Sequence, residues 1–207
     1  MEKWAAQELQ YADLGDTRRK KRLTSQFSTS VPQASGNLAA ASATYDFWNS
    51  PYFHPSDLIA VQAKSTVERI KEHPIFLAVQ DTTSFDFTTQ KAKKGMGYLD
   101  CKTSFGFKVH TTLGVSAPGI PLGLINQYVW AREEKNLGIA KQRKKRETQE
   151  KESQRWLDSL SETQQQIPED IQVVTIGDCE ADIFDLFAQS RSPNSHLLIR
   201  GTHNRKV

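Results

Sequence analysis

Ile75-Phe76-Leu77-Ala78-Val79-Gln80, followed at once by Asp81-Thr82-Thr83-Ser84, is the stretch on which the fold turns. A short apolar run of this kind suits a strand buried on both faces, and the polar residues after it read as its end. Far downstream the pattern returns, as Val173-Val174-Thr175-Ile176-Gly177 stops at Asp178. Each run delivers an aspartate to the end of a buried strand.

Upstream of the first run, Ile59, Ala63, Thr66, Val67 and Ile70 recur at helical spacing. That helix begins near Pro55-Ser56, and Pro74 ends it by disfavouring helical geometry at His73. Downstream, 91–100 is a loop rich in glycine and lysine. Phe105 to Val115 reads as a second strand, Ala117-Pro118-Gly119 as a turn and Ile120 to Trp130 as a third strand, which makes a hairpin. Residues 133–165 form a long charged helical region. Ala181 to Ala188 reads as a helix with Ile183, Phe184, Leu186 and Phe187 on its apolar face, and His196 to Arg200 as the last strand.

Residues 1–54 read as short helices. Asp13 or Asp16 can cap one that carries Arg18-Arg19-Lys20-Lys21-Arg22. Gln33 to Gly36 is a break. Leu38 to Trp48 is a further helix with Tyr45, Phe47 and Trp48 near its end, stopped by Asn49-Ser50-Pro51. The chain therefore divides into a small helical domain, 1–54, and an α/β domain, 55–207.

The order of elements in the second domain predicts a mixed sheet. If the crossover after the hairpin returns beside the first strand, the first and fourth strands are parallel neighbours about 4.8 Å apart. Asp81 and Asp178 then share one edge of the sheet, where open α/β sheets place their ligands. Two carboxylates this close tolerate ionisation when a divalent cation lies between them. Oxygen ligands favour Mg²⁺ or Mn²⁺, which can activate a water or a 3′-hydroxyl against a phosphodiester. Simpler roles exist for both residues: Asp178 as cap of the following helix, Asp81 as the start of an Asx turn. Asp178, Asp182 and Asp185 would share one face of a helix, which leaves the choice among those acids open.

The composition fits a globular protein, since 37% of the 207 residues are hydrophobic and 25% charged, enough apolar side chains for a core. No apolar run approaches the roughly 20 residues that span a bilayer, so no membrane partner is expected. Met1-Glu2-Lys3-Trp4 lacks the pattern of a secretory signal, so the expected location is cytoplasmic. Cys101 and Cys179 lie far apart without metal-ligand spacing and read as reduced thiols. A net charge of +3 says little, but its distribution says more. Basic clusters stand at 18–22, at Lys91, Lys93, Lys94 and Lys102, and from Lys141 to Arg146, while acids gather between Glu169 and Asp185. Such patches fit a phosphate-binding surface or, individually, solvated helix faces.

These segments together resemble the bacterial DDE transposases of the Tn-five type, in the IS-four group of insertion sequences. The resemblance runs from about Trp4 to Arg205. Leu14-Gly15-Asp16-Thr17-Arg18-Arg19 with Arg22-Leu23 is similar to the opening signature of that family's DNA-binding domain, and Ala43 to Trp48 to its second helix. Gln80 to Ser84 is similar to the segment holding the first catalytic Asp, and Gly106 to His110 to the second strand. Lys151 to Leu157 resembles the helix before the fourth strand. Gly177-Asp178-Cys179-Glu180-Ala181-Asp182-Ile183 resembles the segment holding the second catalytic Asp, and Leu198-Ile199-Arg200 with His203 the strand after it.

The resemblance implies an incomplete ribonuclease H-like mixed sheet behind a small all-helical DNA-binding domain. It implies double-stranded DNA at transposon ends as partner, together with a second transposase chain or a downstream half, and it adds nucleoid association to the expected location. It implies strand cleavage and transfer assisted by Mg²⁺ (or Mn²⁺). Asp81 and Asp178 are cast as catalytic metal ligands, and Arg18, Arg19 and Arg22 as phosphate or base contacts. His110 and Arg200 are cast as groups facing the DNA. His110 has a second reading as a satisfied strand histidine, and Thr82 and Thr83 either orient Asp81 or close a turn. The family's third acid, a Glu in a Tyr-Arg-Glu helix, has no counterpart before Val207, so a catalytically incomplete transposase fragment is expected. Other readings are a non-catalytic DNA-binding protein competing with intact transposase, and a standalone nuclease using Asp100 or Asp182 as third acid. A last one is an aggregation-prone relic with exposed apolar sheet surface.

Overall fold

The structure is a computed structural model that describes residues 3–26, 33, 36–52, 54–90, 94–133 and 152–204. The chain divides into two compact units, Met1–Arg69 and Ile70–Val207.

The first unit is helical, with α1 (Lys3–Glu8), α2 (Thr17–Gln26), α3 (Leu38–Trp48) and α4 (Pro55–Ile70), whose last residue opens the second unit. Asp16 starts α2: its carboxylate accepts from the N–H of Arg18 at 2.7 Å, and its carbonyl accepts from Arg19 and Lys20. An aspartate here satisfies amides that lack an intrahelical partner. Asn37 does the same for α3, accepting from Ala40 N–H at 2.9 Å. Leu9, Leu23 and Phe47 form the core of the unit, with Leu58 and Val61 of α4 packed on it. The unit boundary at 69/70 lies one helix beyond the 54/55 division, because α4 is tied to α1. The Ser65 hydroxyl donates to the Glu8 carbonyl at 2.9 Å, and Arg69 pairs with the Glu8 carboxylate at 2.9 Å. Residues 34–35 of the expected break lie outside the described residues.

The second unit is built on one mixed sheet. Its strands are β1 (Ile75–Asp86), β2 (Gly97–Tyr98), β3 (Phe105–Ser116), β4 (Pro121–Trp130), β5 (Gln172–Gly177) and β6 (Ser195–Ile199). The helices α5 (Gln154–Gln166) and α6 (Phe184–Ala188) accompany them. Across the sheet the order is β4-β3-β1-β5-β6, with β2 paired to the start of β3. The β1–β3 and β3–β4 pairs are antiparallel, and β1–β5 and β5–β6 are parallel. The expected hairpin is present, turned at Gly119, whose φ of 93° suits glycine. The two apolar runs are parallel neighbours, as expected.

Three expectations are corrected. β1 does not stop at Gln80: it continues along β3 through the rungs Asp81↔Thr111 to Asp86↔Gly106. Thr82, Thr83 and Phe85 favour extended backbone, so the polar run prolongs the strand instead of ending it. The helix expected at 181–188 is a 3₁₀ turn, Cys179–Ala181, and then the short α6. Asp178, Asp182 and Asp185 therefore share no helical face. The glycine-rich loop contains β2, where Tyr98 N–H donates to the Arg132 carbonyl at 2.9 Å. Lys91 and Lys93 lie outside the described residues, as does 134–151 with Lys141 to Arg146.

α5 covers one face of the sheet. Its Trp156 and Leu160 form a core with Ala181 and Leu186, against which Leu197 and Ile199 pack. The covered face carries small or polar residues, Gln80, His110, Thr112, Thr175 and Gly177, beside the apolar Phe76, Ala78 and Val173, all buried. Large side chains on the helix fill the space that small ones on the sheet leave. Gly177 is required by this fit, since a Cβ there would meet the Ala181 Cβ at 2.5 Å and the Trp156 ring at 3.1 Å. By strand alternation the other face carries Leu77, Val79, Leu113, Val174 and Ile176, which are only part-buried. Phe85, Val129 and Leu198 stand exposed there. Among the described residues no helix is long and apolar enough to cross a membrane.

Candidate functional site

The parallel ladder between β1 and β5 has its last rung at Val79↔Ile176. Asp81 and Asp178 each follow that rung by two residues, so they hold equivalent positions on neighbouring strands. The β5–β6 ladder ends at Gly177↔Ile199, and Arg200 N–H donates to the Gly177 carbonyl at 3.1 Å, which sets Arg200 beside Asp178. On the other side Asp81 opposes Thr111, which opposes Gln127, whose amide donates to the Thr111 hydroxyl at 3.0 Å. One polar row thus crosses the sheet: Gln127, Thr111, Asp81, Asp178, Arg200. Alternation puts it on the face opposite α5, in line with Val79 and Ile176. The extended backbone of Asp178, φ −77° and ψ −164°, carries the alternation one residue past β5.

Both aspartates are exposed. Among the described residues none donates a hydrogen bond to Asp81, and its mid-strand position excludes an Asx turn. Asp178 does cap the 3₁₀ turn, but with one oxygen: Oδ1 accepts from Glu180 N–H at 2.9 Å. Among the described residues Oδ2 meets only the Cys179 thiol, at 3.8 Å. Two exposed carboxylates with oxygen to spare suit a hard divalent ion that keeps waters and shares phosphate oxygens. They do not suit zinc, and among the described residues no group of three His, Cys, Asp or Glu gathers.

Two further acids are engaged elsewhere. The Asp182 carboxylate is fully enclosed, and its Oδ2 accepts from Thr202 N–H at 2.6 Å and His203 N–H at 2.8 Å. Asp100 pairs with Lys108 at 2.8 Å and Arg132 at 3.0 Å. The hydrogen bond from Lys108 is the chief reason its carboxyl is held below the usual range. Both carboxylates are thus taken up by donors of the chain itself.

His110 is corrected as well. It has no exposure and meets Trp156 edge-on, with ring centroids 4.5 Å apart, so it does not face DNA. Burial, assisted by the Arg155 cation, pushes its pKa down to about 3, so the ring is neutral. Its partners fix the tautomer. Arg155 Nε donates to Thr82 Oγ1 at 3.0 Å, leaving the threonine proton for His110 Nδ1, 2.8 Å away. Nε2–H then donates to Gln80 Oε1 at 3.2 Å. Arg155 also donates from Nη2 to Glu180 Oε2 at 2.8 Å and lies 5.2 Å from the Trp130 ring centre. The sequence reading missed Arg155, Gln80 and Trp156. Gln80 and Thr82 were detectable, because alternation puts both on the face opposite Asp81.

In the helical unit, Arg18 is 90% exposed and pairs with Asp16 at 3.1 Å. Arg19 donates to the Leu14 carbonyl at 3.2 Å, with its guanidinium 5.2 Å from the Tyr52 ring centre. Arg22 is exposed and donates to the Ala43 carbonyl of α3 at 2.9 Å. The basic run therefore braces the unit as well as charging its surface.

Residues 1–52 match the model of a protein family described as transposase DNA-binding. This segment holds α1, α2 with its basic run, and α3. The match supports the N-terminal region of a transposase, with DNA as its partner.

Proposed function

We propose that the chain acts in DNA transposition as a transposase of the Tn-five type. The helical unit binds double-stranded transposon ends, and the α/β unit contributes Asp81 and Asp178, two of the three acids by which the resembled family would hold a Mg²⁺ or Mn²⁺ ion for strand cleavage and transfer. The observation that carries this reading is the equivalent placement of the two aspartates on adjacent parallel strands, on one face. The strand order β4-β3-β1-β5-β6, an antiparallel hairpin beside three parallel strands, supports a ribonuclease H-like sheet. The ion, when bound, supplies an activated oxygen nucleophile and neutralises charge on the leaving oxygen. Asp81 and Asp178 hold it, and Arg200 at the end of the row attracts the DNA phosphate.

The test is Mn²⁺ titration of the purified chain, with unbound ion read from its electron paramagnetic resonance signal. Wild type binds, and Asp81→Asn and Asp178→Asn each weaken binding by about tenfold or more. Binding that both substitutions leave intact would overturn the reading.

A further inference from the structure

We propose that Arg155 is a positioning residue: from the face of the sheet opposite the acids, its guanidinium sets how far apart the Asp81 and Asp178 carboxylates stand. The inference rests on the two-aspartate metal reading given above and assigns a role to a side chain that touches neither the ion nor the DNA.

The geometry is that of one rigid fork engaging both acid-bearing segments. Nε donates to Thr82 Oγ1 at 3.0 Å, on the residue next to Asp81. Through Thr82 the chain of bonds continues to His110 and returns to β1 at Gln80, so both residues flanking Asp81 are fixed. Nη2 donates to Glu180 Oε2 at 2.8 Å, and the Glu180 amide is the group that holds Asp178 Oδ1. Nη1 anchors the fork to the start of α5, donating to the Glu152 carbonyl at 2.6 Å. The side chain is only 12% exposed, and its plane lies near the rings of Trp130 and Trp156. Past the rung Val79↔Ile176 no ladder bond joins β1 to β5. At the level of the carboxylates the spacing of the two segments is therefore set by side chains, and among the described residues Arg155 is the one bonded to both. A lysine retains the charge but not the planar fork, and cannot make both bonds in this geometry.

The experiment compares Mn²⁺ binding to the full chain for wild type, Arg155→Lys, Glu180→Gln, Asp81→Asn and Asp178→Asn. Unfolding in urea is measured in parallel. Arg155→Lys is expected to stay folded and to weaken Mn²⁺ binding by about tenfold, as loss of an outer partner does at other metal sites. The protein-bound Mn²⁺ spectrum should also broaden as the two carboxylates lose their fixed spacing. Glu180 is exposed, so Glu180→Gln weakens the same bond without opening the core and should shift binding in the same direction by a smaller factor. This variant decides the matter if Arg155→Lys unfolds. Wild-type affinity and spectrum in Glu180→Gln and in any folded Arg155→Lys protein would overturn the positioning role. Mn²⁺ binding that ignores Asp81→Asn and Asp178→Asn would instead overturn the metal reading beneath it.

Discussion

The Thr82 hydroxyl lies 2.8 Å from Nδ1 of His110, inside a layer where the imidazole has no contact with solvent. The ring accepts there and donates from its other nitrogen, which only the neutral form does. Its pKa, near 6.5 in the unfolded chain, falls to about 3 in the folded protein, mainly through burial. Between those values the unfolded state binds the extra proton. Stability from this group is therefore complete above about pH 6.5 and is lost as pH falls toward 3, by at most about 1.4 kcal/mol per unit. In an NMR titration the His110 ring signals should stay unshifted between pH 7 and pH 4.5. A midpoint near 6.5 would contradict the burial.

Gly177→Ala should destabilise the α/β unit by about 1–3 kcal/mol through overpacking. The added methyl meets another methyl, Ala181 Cβ, at 2.5 Å, and neither can rotate away. Because Gly177 precedes Asp178, the displacement should also weaken Mn²⁺ binding. Urea denaturation of the variant beside wild type checks the first effect, and coincident curves would refute it.

Arg18→Ala and Arg19→Ala should separate DNA binding from folding. Arg18 is 90% exposed, so its loss should lower the slope of log affinity against log salt by about 0.9 per phosphate contact and leave the unfolding temperature unchanged. Arg19 holds the Leu14 carbonyl and the Tyr52 ring, so Arg19→Ala should also cost about 0.5–1 kcal/mol of stability. DNA titrations at several salt concentrations, combined with thermal melts, read both quantities. Identical behaviour of the two variants would show that the division of labour is wrong.

Asp182→Ala should release the segment after β6. One buried carboxylate oxygen accepts from the amides of Thr202 and His203 and from the Thr202 hydroxyl, at 2.6, 2.8 and 3.1 Å. Those amides should exchange with solvent deuterons far faster in the variant, at a cost of about 1–3 kcal/mol. Unchanged protection at 202 and 203 would argue against the clamp.

The sequence revealed the parallel pair β1–β5 and the hairpin, because short apolar runs and a Pro-Gly turn are local signals. It did not reveal where β1 ends. Asp81 to Ser84 has the polarity of a turn, and only pairing with β3 shows that its threonines sit in a ladder. The helix after Asp178 was overestimated for a long-range reason: Asp182 leaves the helical path to hold residues twenty positions further on. The burial of His110 ran against hydropathy. On β3 the covered face carries Gly106, His110, Thr112, Gly114 and Ser116, while Phe107, Leu113 and Val115 face the less covered side. A sheet packed under a tryptophan needs small residues, and periodicity alone does not say which face receives the large partner.

β1 outlasts β5. Past their last shared rung one strand continues straight along β3, while the other chain bends off through Cys179–Ala181. The sheet is thereby split open like a seam at one end, with a carboxylate on either lip. Between the two lips no rung of the β1–β5 ladder closes the gap. The Asp81 lip is held by the ladder to β3, and the Asp178 lip by the amide of Glu180, a residue itself tied to Arg155.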